Sequence, residues 1–200
     1  MALAPQFAGH RLGSALAPHT IELYLDYVCP FSAKLYKKIR EQVWPYIEQT
    51  YPNKVKLIFR HQVQPWHAAS TAVHEAALAV EKLYDNKFFP FSDVLFLRQK
   101  EFFDESLETK SRKQIIEELA QIAETIGVPS DKVLDLLANG SGEPKNAGNK
   151  VSNDLKLQVK LGRQNGIHVS PTVLFDGLRD DSVSSGWELD QWKEYLKSKL

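Results

Sequence analysis

Eight β-rich residues, Ile21 to Val28 (IELYLDYV), run directly into Cys29-Pro30-Phe31-Ser32, after which Leu35, Ile39 and Val43 recur every four residues. A short, partly alternating run reads as a strand, and the four-residue spacing marks one face of a helix. Pro30 suits the first helical position, where its missing N–H leaves no bond unmade. Pro45 is expected to kink or end this helix near Trp44. Pro52-Asn53 marks a turn, and Val55 to Arg60 (VKLIFR) reads as a second strand. A strand, a helix and a strand in that order should form a parallel pair joined by a right-handed crossover.

The loop HQVQPWH then leads to a helix whose apolar residues include Ala69, Val73, Ala76, Ala77, Val80 and Leu83. Phe88 to Phe103 is aromatic-rich and reads as helical. Ile115, Leu119, Ile122 and Ile126 form a helical stripe closed by Gly127 and Pro129. Ser130 is placed to cap a helix carrying Val133, Leu134 and Leu137. A further helix is expected from about Val151 to Gln164. The run IHVSPTVLFDG is β-rich, contains Pro171, and ends in an Asp176-Gly177 turn. Its expected hairpin partner, LRDDSVSS, is a poor strand. Ser185 and Glu188 fit a capping box for a last helix that packs Leu189, Trp192 and Leu196.

The balance of charge narrows the function. With 25 basic and 25 acidic residues, the chain has no net field to draw nucleic acid or anionic lipid. No apolar run nears the roughly 18 residues of a spanning helix, so neither partner is expected. One cysteine excludes an internal disulfide and suits a reducing compartment. The segment MALAPQFAGHRLGSALAPHT has no acidic residue, which leaves a mitochondrial transit segment open. It lacks a secretory apolar stretch and a basic amphipathic face, so a cytoplasmic protein is expected. His67 and His74 lie seven apart, and His61 and His67 flank a loop, but no cysteine or carboxylate pattern completes a metal site. These histidines read as solvated or structural. Trp66 and the Phe88–Phe91 aromatics read as core or groove wall.

A cysteine at a strand-to-helix junction meets unpaired backbone N–H groups and the positive end of the helix dipole. Both favour the thiolate. Ser32 follows one turn on, near enough to turn its hydroxyl toward the sulfur. An alcohol cannot displace a mixed disulfide, so dithiol exchange by this chain alone is excluded. The competing reading makes Cys29 a small buried hydrophobe. Pro171 raises a parallel question, because a proline inside a β-rich run marks either an edge or a special turn.

Three motifs in order, LDYVCPFS, FRHQVQPWHAASTAVHEAALA and GIHVSPTVLFDG, resemble those of the DsbA-like thioredoxin-fold family. The resemblance runs from about Gly13 to the C-terminal helix. It implies an α/β thioredoxin-like fold in one domain, with a core of about 13–84 and 147–200 and an all-helical insertion of about 85–146. It further implies a cis Ser170–Pro171 bond facing Cys29, with Ser170 offering a backbone edge to an extended peptide or glutathione. Pro30 and Phe31 would join Ser170 and Pro171 in contacting substrate. Asp26 matches a common family residue expected to bond or cap the active-site turn.

Two positions depart from the family pattern. Ser32 stands where a resolving cysteine would, and Leu23 stands where the first strand would carry a buried acid, with Glu22 facing the other way. Three functions follow from this resemblance. The first is an oxidoreductase using Cys29 alone, with Ser32 assisting, on protein thiols or disulfides or on glutathione as co-substrate; no cofactor is required. The second is a glutathione-dependent transferase or isomerase like the kappa class, with a serine-type site. The third is a non-catalytic module that binds extended peptides.

Overall fold

The computed structural model describes residues 3–141 and 143–200. Its centre is a five-stranded sheet: β1 (Arg11–Leu12), β2 (His19–Leu25), β3 (Val55–His61), β4 (Thr172–Phe175) and β5 (Leu178–Arg179), in the order β1-β3-β2-β4-β5. β2 runs parallel to β3 and antiparallel to β4, and β1 and β5 are antiparallel edges. Between β2 and β3 lies the crossover helix. It begins as α1 (Pro30–Lys38), loosens into a π turn over Ile39–Val43, and resumes as α2 (Trp44–Thr50). Of the two outcomes expected at Pro45, an end does not occur; the helix is interrupted just before it, at the π turn. The wider turn bonds the Trp44 N–H back to Ile39 O, and the missing N–H of Pro45 falls where the α-helical ladder is already interrupted.

Both faces of the sheet are covered, which is why β2 is buried almost throughout. Its alternation divides the side chains. Ile21, Leu23 and Leu25 enter the main core with Leu57 and Phe59, while Tyr24 joins Ile167 and Leu174 on the opposite face. After β3 come α3 (Ser70–Leu83), α4 (Phe88–Leu97), the single turn α5 (Asp104–Leu107), α6 (Arg112–Thr125) and α7 (Ser130–Leu137). α3 is the shared wall of this region. It packs against α4, α6 and α7, and its His74 meets His61 of β3. α8 (Ser152–Gln164) returns the chain to the sheet and α9 (Leu189–Lys199) closes it. Gly162 lets α8 sit close, since a Cβ there would lie 3.0 Å from Gln62 Oε1 and 3.8 Å from Tyr24 Cε1.

Several local expectations are corrected. β2 ends at Leu25 rather than Val28, because the next three residues turn toward the cysteine. Ser130 is the first residue of α7 and makes no side-chain cap; Pro129 holds the cap position. The last helix does have a capping box, but it pairs Glu188 with Gln191 and does not use Ser185. The N-terminal segment is part of the packed body, since Phe7 and His10, in the 3₁₀ stretch Pro5–His10, are buried. Packing thus begins before residue 13. Asp176 and Gly177 both adopt positive φ, 50° and 83°, as the tight turn from β4 to β5 requires. Among the described residues, no helix is long and apolar enough to cross a membrane.

Candidate active site

Cys29 caps the N-terminus of α1 in extended conformation, and its carbonyl accepts the Ala33 N–H at 3.1 Å. The cysteine is 6% exposed, whereas Phe31, two residues on, is 64% exposed. A hydrogen bond of 3.4 Å joins Cys29 Sγ to Ser170 O, and the Ser170–Pro171 peptide is cis. Sheet topology brings these distant segments together. β4 pairs antiparallel with β2, so the residues before β4 arrive beside those that follow β2.

Beneath the cysteine the chain turns tightly around Asp26, which is fully buried. Four hydrogen bonds reach its carboxylate: from Val28 N (3.1 Å) and Ser70 Oγ (3.0 Å) to Oδ1, and from Gln64 N (3.1 Å) and His67 Nδ1 (2.9 Å) to Oδ2. His74 Nε2 lies 3.5 Å from Oδ1, at the outer limit of hydrogen-bond distance. Burial pushes the Asp26 carboxyl up, but the His74 and His67 contacts and the Val28 amide outweigh it, leaving the group below its ordinary value. The backbone of Asp26 completes the turn: its carbonyl accepts the Cys29 N–H at 3.1 Å, and its N–H donates to Ser32 Oγ at 3.2 Å.

Ser32 is therefore turned inward. It is fully buried and its oxygen accepts the Asp26 N–H. The expectation that no acid lies beneath the site is also corrected. Leu23 is core and Glu22 is buried on an ion pair with Arg60, Nε to Oε2 2.7 Å, but Asp26 supplies the carboxylate from beyond the strand end. Gln99 adds a clamp from the 3₁₀ turn after α4, donating to Tyr27 O at 2.6 Å and Cys29 O at 3.0 Å.

Beside the cysteine, Val28, Pro30, His67, Phe102, Phe103 and Asp104 line an open cleft of about 240 Å³. Pro30 lines this cleft, and Ser170 meets the sulfur through its carbonyl. Trp66, beside His67, is 60% exposed and does not belong to the core. The Phe88, Phe89 and Phe91 rings are buried.

A sequence profile of the family described as Thioredoxin matches residues 6–197. The chain belongs to the thioredoxin family. Its fold is the DsbA-like variant, in which helices are inserted into the thioredoxin core. A candidate protein-disulfide isomerase from Pseudomonas syringae is 24% identical, with a TM-score of 0.76 over 96% of this chain and 99% of that one. BdbD from Bacillus subtilis, in its oxidised form, is 19% identical with a TM-score of 0.70, covering 96% and 92% of the two chains. The thiol-disulfide exchange protein alpha-DsbA2 from Wolbachia pipientis is 19% identical with a TM-score of 0.64, covering 95% and 86%. No curated protein matches the chain.

For this thioredoxin-family chain, the histidines around Asp26 were the residues least visible in sequence. His61 was legible in principle: in parallel register it pairs with Leu25, one residue before Asp26. α3 carried a second signal, since Ser70, His74 and Glu81 are polar residues on a buried helix at spacings of four and seven. Among the described residues, no group of three or more His, Cys, Asp or Glu side chains is arranged to hold a metal ion.

Proposed function

We propose that the protein is a thiol–disulfide oxidoreductase that works through Cys29 alone, exchanging with disulfides of polypeptide partners. The observation that carries this reading is the placement of Cys29 Sγ. It sits at a helix N-terminus, 3.4 Å from the backbone carbonyl of Ser170, over a turn organised by a buried carboxylate.

In the reaction, the Cys29 thiolate attacks one sulfur of a substrate disulfide. A Cys29–substrate S–S bond forms, the substrate S–S bond breaks, and the departing thiolate takes a proton from water. An external thiol, on a protein or on glutathione, deprotonates and attacks the substrate sulfur of the mixed disulfide. Cys29 leaves as thiolate, the substrate half is bonded to the external sulfur, and electrons balance without a cofactor. Ser32 serves this scheme by fixing the turn through the Asp26 amide, since an alcohol has no part in the exchange.

The shape of the site favours polypeptide partners. The cleft beside Pro30 holds about 240 Å³, below the roughly 300–1,000 Å³ of sites that enclose small ligands. That volume suits one side chain of an extended segment, with Phe31 and Val169 as exposed apolar rims and Ser170 as the backbone edge. A buried Ser32 counts against a serine-type transferase site.

Intact mass after incubation with oxidised glutathione, and separately with a disulfide-linked peptide, tests the reading. One adduct that maps to Cys29, is reversed by dithiothreitol and is absent in Cys29→Ser is expected. An unmodified mass with both reagents would contradict it and would leave a peptide-binding module as the better account.

A further inference from the structure

A line of buried polar side chains runs through the apolar core from the Asp26 turn to α3. His61 Nδ1 is 2.5 Å from His74 Nδ1, and His61 Nε2 is 3.2 Å from His10 Nε2. His10 Nε2 is also 2.8 Å from Glu81 Oε2. At the other end, His74 Nε2 faces Asp26 Oδ1 at 3.5 Å. The three imidazoles are completely buried. Phe88 packs on His10 at 4.2 Å between centroids, Phe59 on His61 at 5.2 Å and Tyr27 on His74 at 4.9 Å. A metal does not explain the arrangement. Two nitrogens on a tetrahedral zinc, each about 2.1 Å away, stand roughly 3.4 Å apart, and His61 and His74 are much closer than that.

Each nitrogen pair therefore shares one proton, and counting protons orders the series. Burial, reinforced by the neighbouring His10 and His74, pushes His61 well below the ordinary imidazole value, so it is neutral and carries one N–H. It must donate on one side and accept on the other. If Glu81 is a carboxylate it can only accept, which places the His10 proton on Nε2, shared between Glu81 and His61 Nε2. His61 then carries its proton on Nδ1 and donates to His74 Nδ1, and His74 presents Nε2–H to Asp26. The opposite order would set the bare His10 Nε2 against Glu81 and move the His10 proton to Nδ1, which has no partner. It would also turn a lone pair of His74 toward Asp26, an arrangement that suits only a protonated carboxyl.

We propose that the buried series Glu81–His10–His61–His74 is a tautomer lock that holds Asp26 as a carboxylate and so positions the turn carrying Cys29. The remaining groups facing Asp26 do not reverse the order. His67, Ser70 and the amides of Val28 and Gln64 are donors to it, and burial pushes the Tyr27 hydroxyl, bonded to Ser92, well above the ordinary phenol value. The four are positioning residues; none touches the sulfur in this arrangement. The proposal concerns the same site as the oxidoreductase reading, but its test does not use activity.

Nitrogen-15 NMR of the full-length protein at neutral pH reads the tautomers directly. The expected result is a proton on Nε2 of His10, Nδ1 of His61 and Nε2 of His74. In Glu81→Gln the His61 signal should become a mixture of tautomers, and the Asp26 carboxyl midpoint, followed by carbon-13 NMR, should rise by about one unit, a tenfold change. An Nε2-protonated or doubly protonated His61 in the wild type would overturn the proposal. So would an unmoved Asp26 midpoint in a folded Glu81→Gln protein. If that variant does not fold, the wild-type tautomers alone decide. An inert Cys29 with the expected tautomers in place would instead refute only the oxidoreductase reading.

Discussion

Glu22 and Asp26 lie four residues apart, and both are completely buried, yet the fold treats the two carboxylates differently. Glu22 sits inside β2 and meets the guanidinium of Arg60 on the neighbouring β3 at 2.7 Å. Arginine does not lose its proton in a protein, so the cation of this pair is permanent. Asp26 sits just beyond the strand. Amides, a hydroxyl and histidines solvate it instead. One carboxylate serves the sheet, and the other organises a turn whose protonation can respond to its surroundings.

Breaking the first pair should have the largest effect. Arg60→Met leaves Glu22 buried without its cation and should cost about 3–5 kcal/mol in chemical denaturation. Adding Glu22→Leu should recover most of that loss, because two apolar residues of similar volume replace the pair. A cost below about 1 kcal/mol for Arg60→Met would remove the contrast. Asp26→Asn should cost less, about 1–3 kcal/mol, since its amide NH₂ would turn a donor toward donors already in place. The same denaturation series measures both.

Acid should separate the two sites further. His61 binds its proton more weakly folded than unfolded, so the unfolded chain takes up the proton first as pH falls below the ordinary 6.5. Stability is then lost with acid, by up to about 1.4 kcal/mol per pH unit from this group. The Asp26 carboxyl is also depressed, so its contribution is present above the ordinary 3.8 and is lost as pH falls through the lower folded value. Both slopes have the same sign, and the His61 loss begins first. A flat stability from pH 7 to 5 would contradict a neutral buried His61. The smallest effect belongs to the surface. Lys38→Gln removes the pair between Lys38 and Glu188 and should leave the denaturation midpoint nearly unmoved, with any shift shrinking further in high salt.

Much of this arrangement could be read from the chain before any coordinates. The four-residue stripe after Cys29, the VKLIFR strand and the Asp176-Gly177 turn are local patterns, and each forms an element close to its expected place. What the chain conceals is which groups folding brings together. Pro45 marks a kink or an end, and the π turn that carries the helix past it has no local signature. That Ser32 accepts the Asp26 amide is visible only in the folded turn. Leu23, at the strand position where an acid is expected, says nothing of an acid beyond the strand end. Asp26 becomes a buried carboxylate only when Gln64, His67 and Ser70 arrive from the far side of β3.

If Asp26 belongs to the Cys29 site and Glu22 to the sheet, chemistry at the sulfur should be felt by one carboxylate and not the other. The direct measurement is carbon-13 NMR of both side-chain carboxyls before and after Cys29 is converted to its glutathione mixed disulfide. The Asp26 resonance should move, because its carbonyl and carboxylate hold the Cys29 and Val28 amides, while Glu22 should stay in place. Adduct formation that leaves Asp26 unmoved, or that moves the two carboxyls alike, would contradict the account, and so would a folded protein whose Cys29 forms no adduct at all.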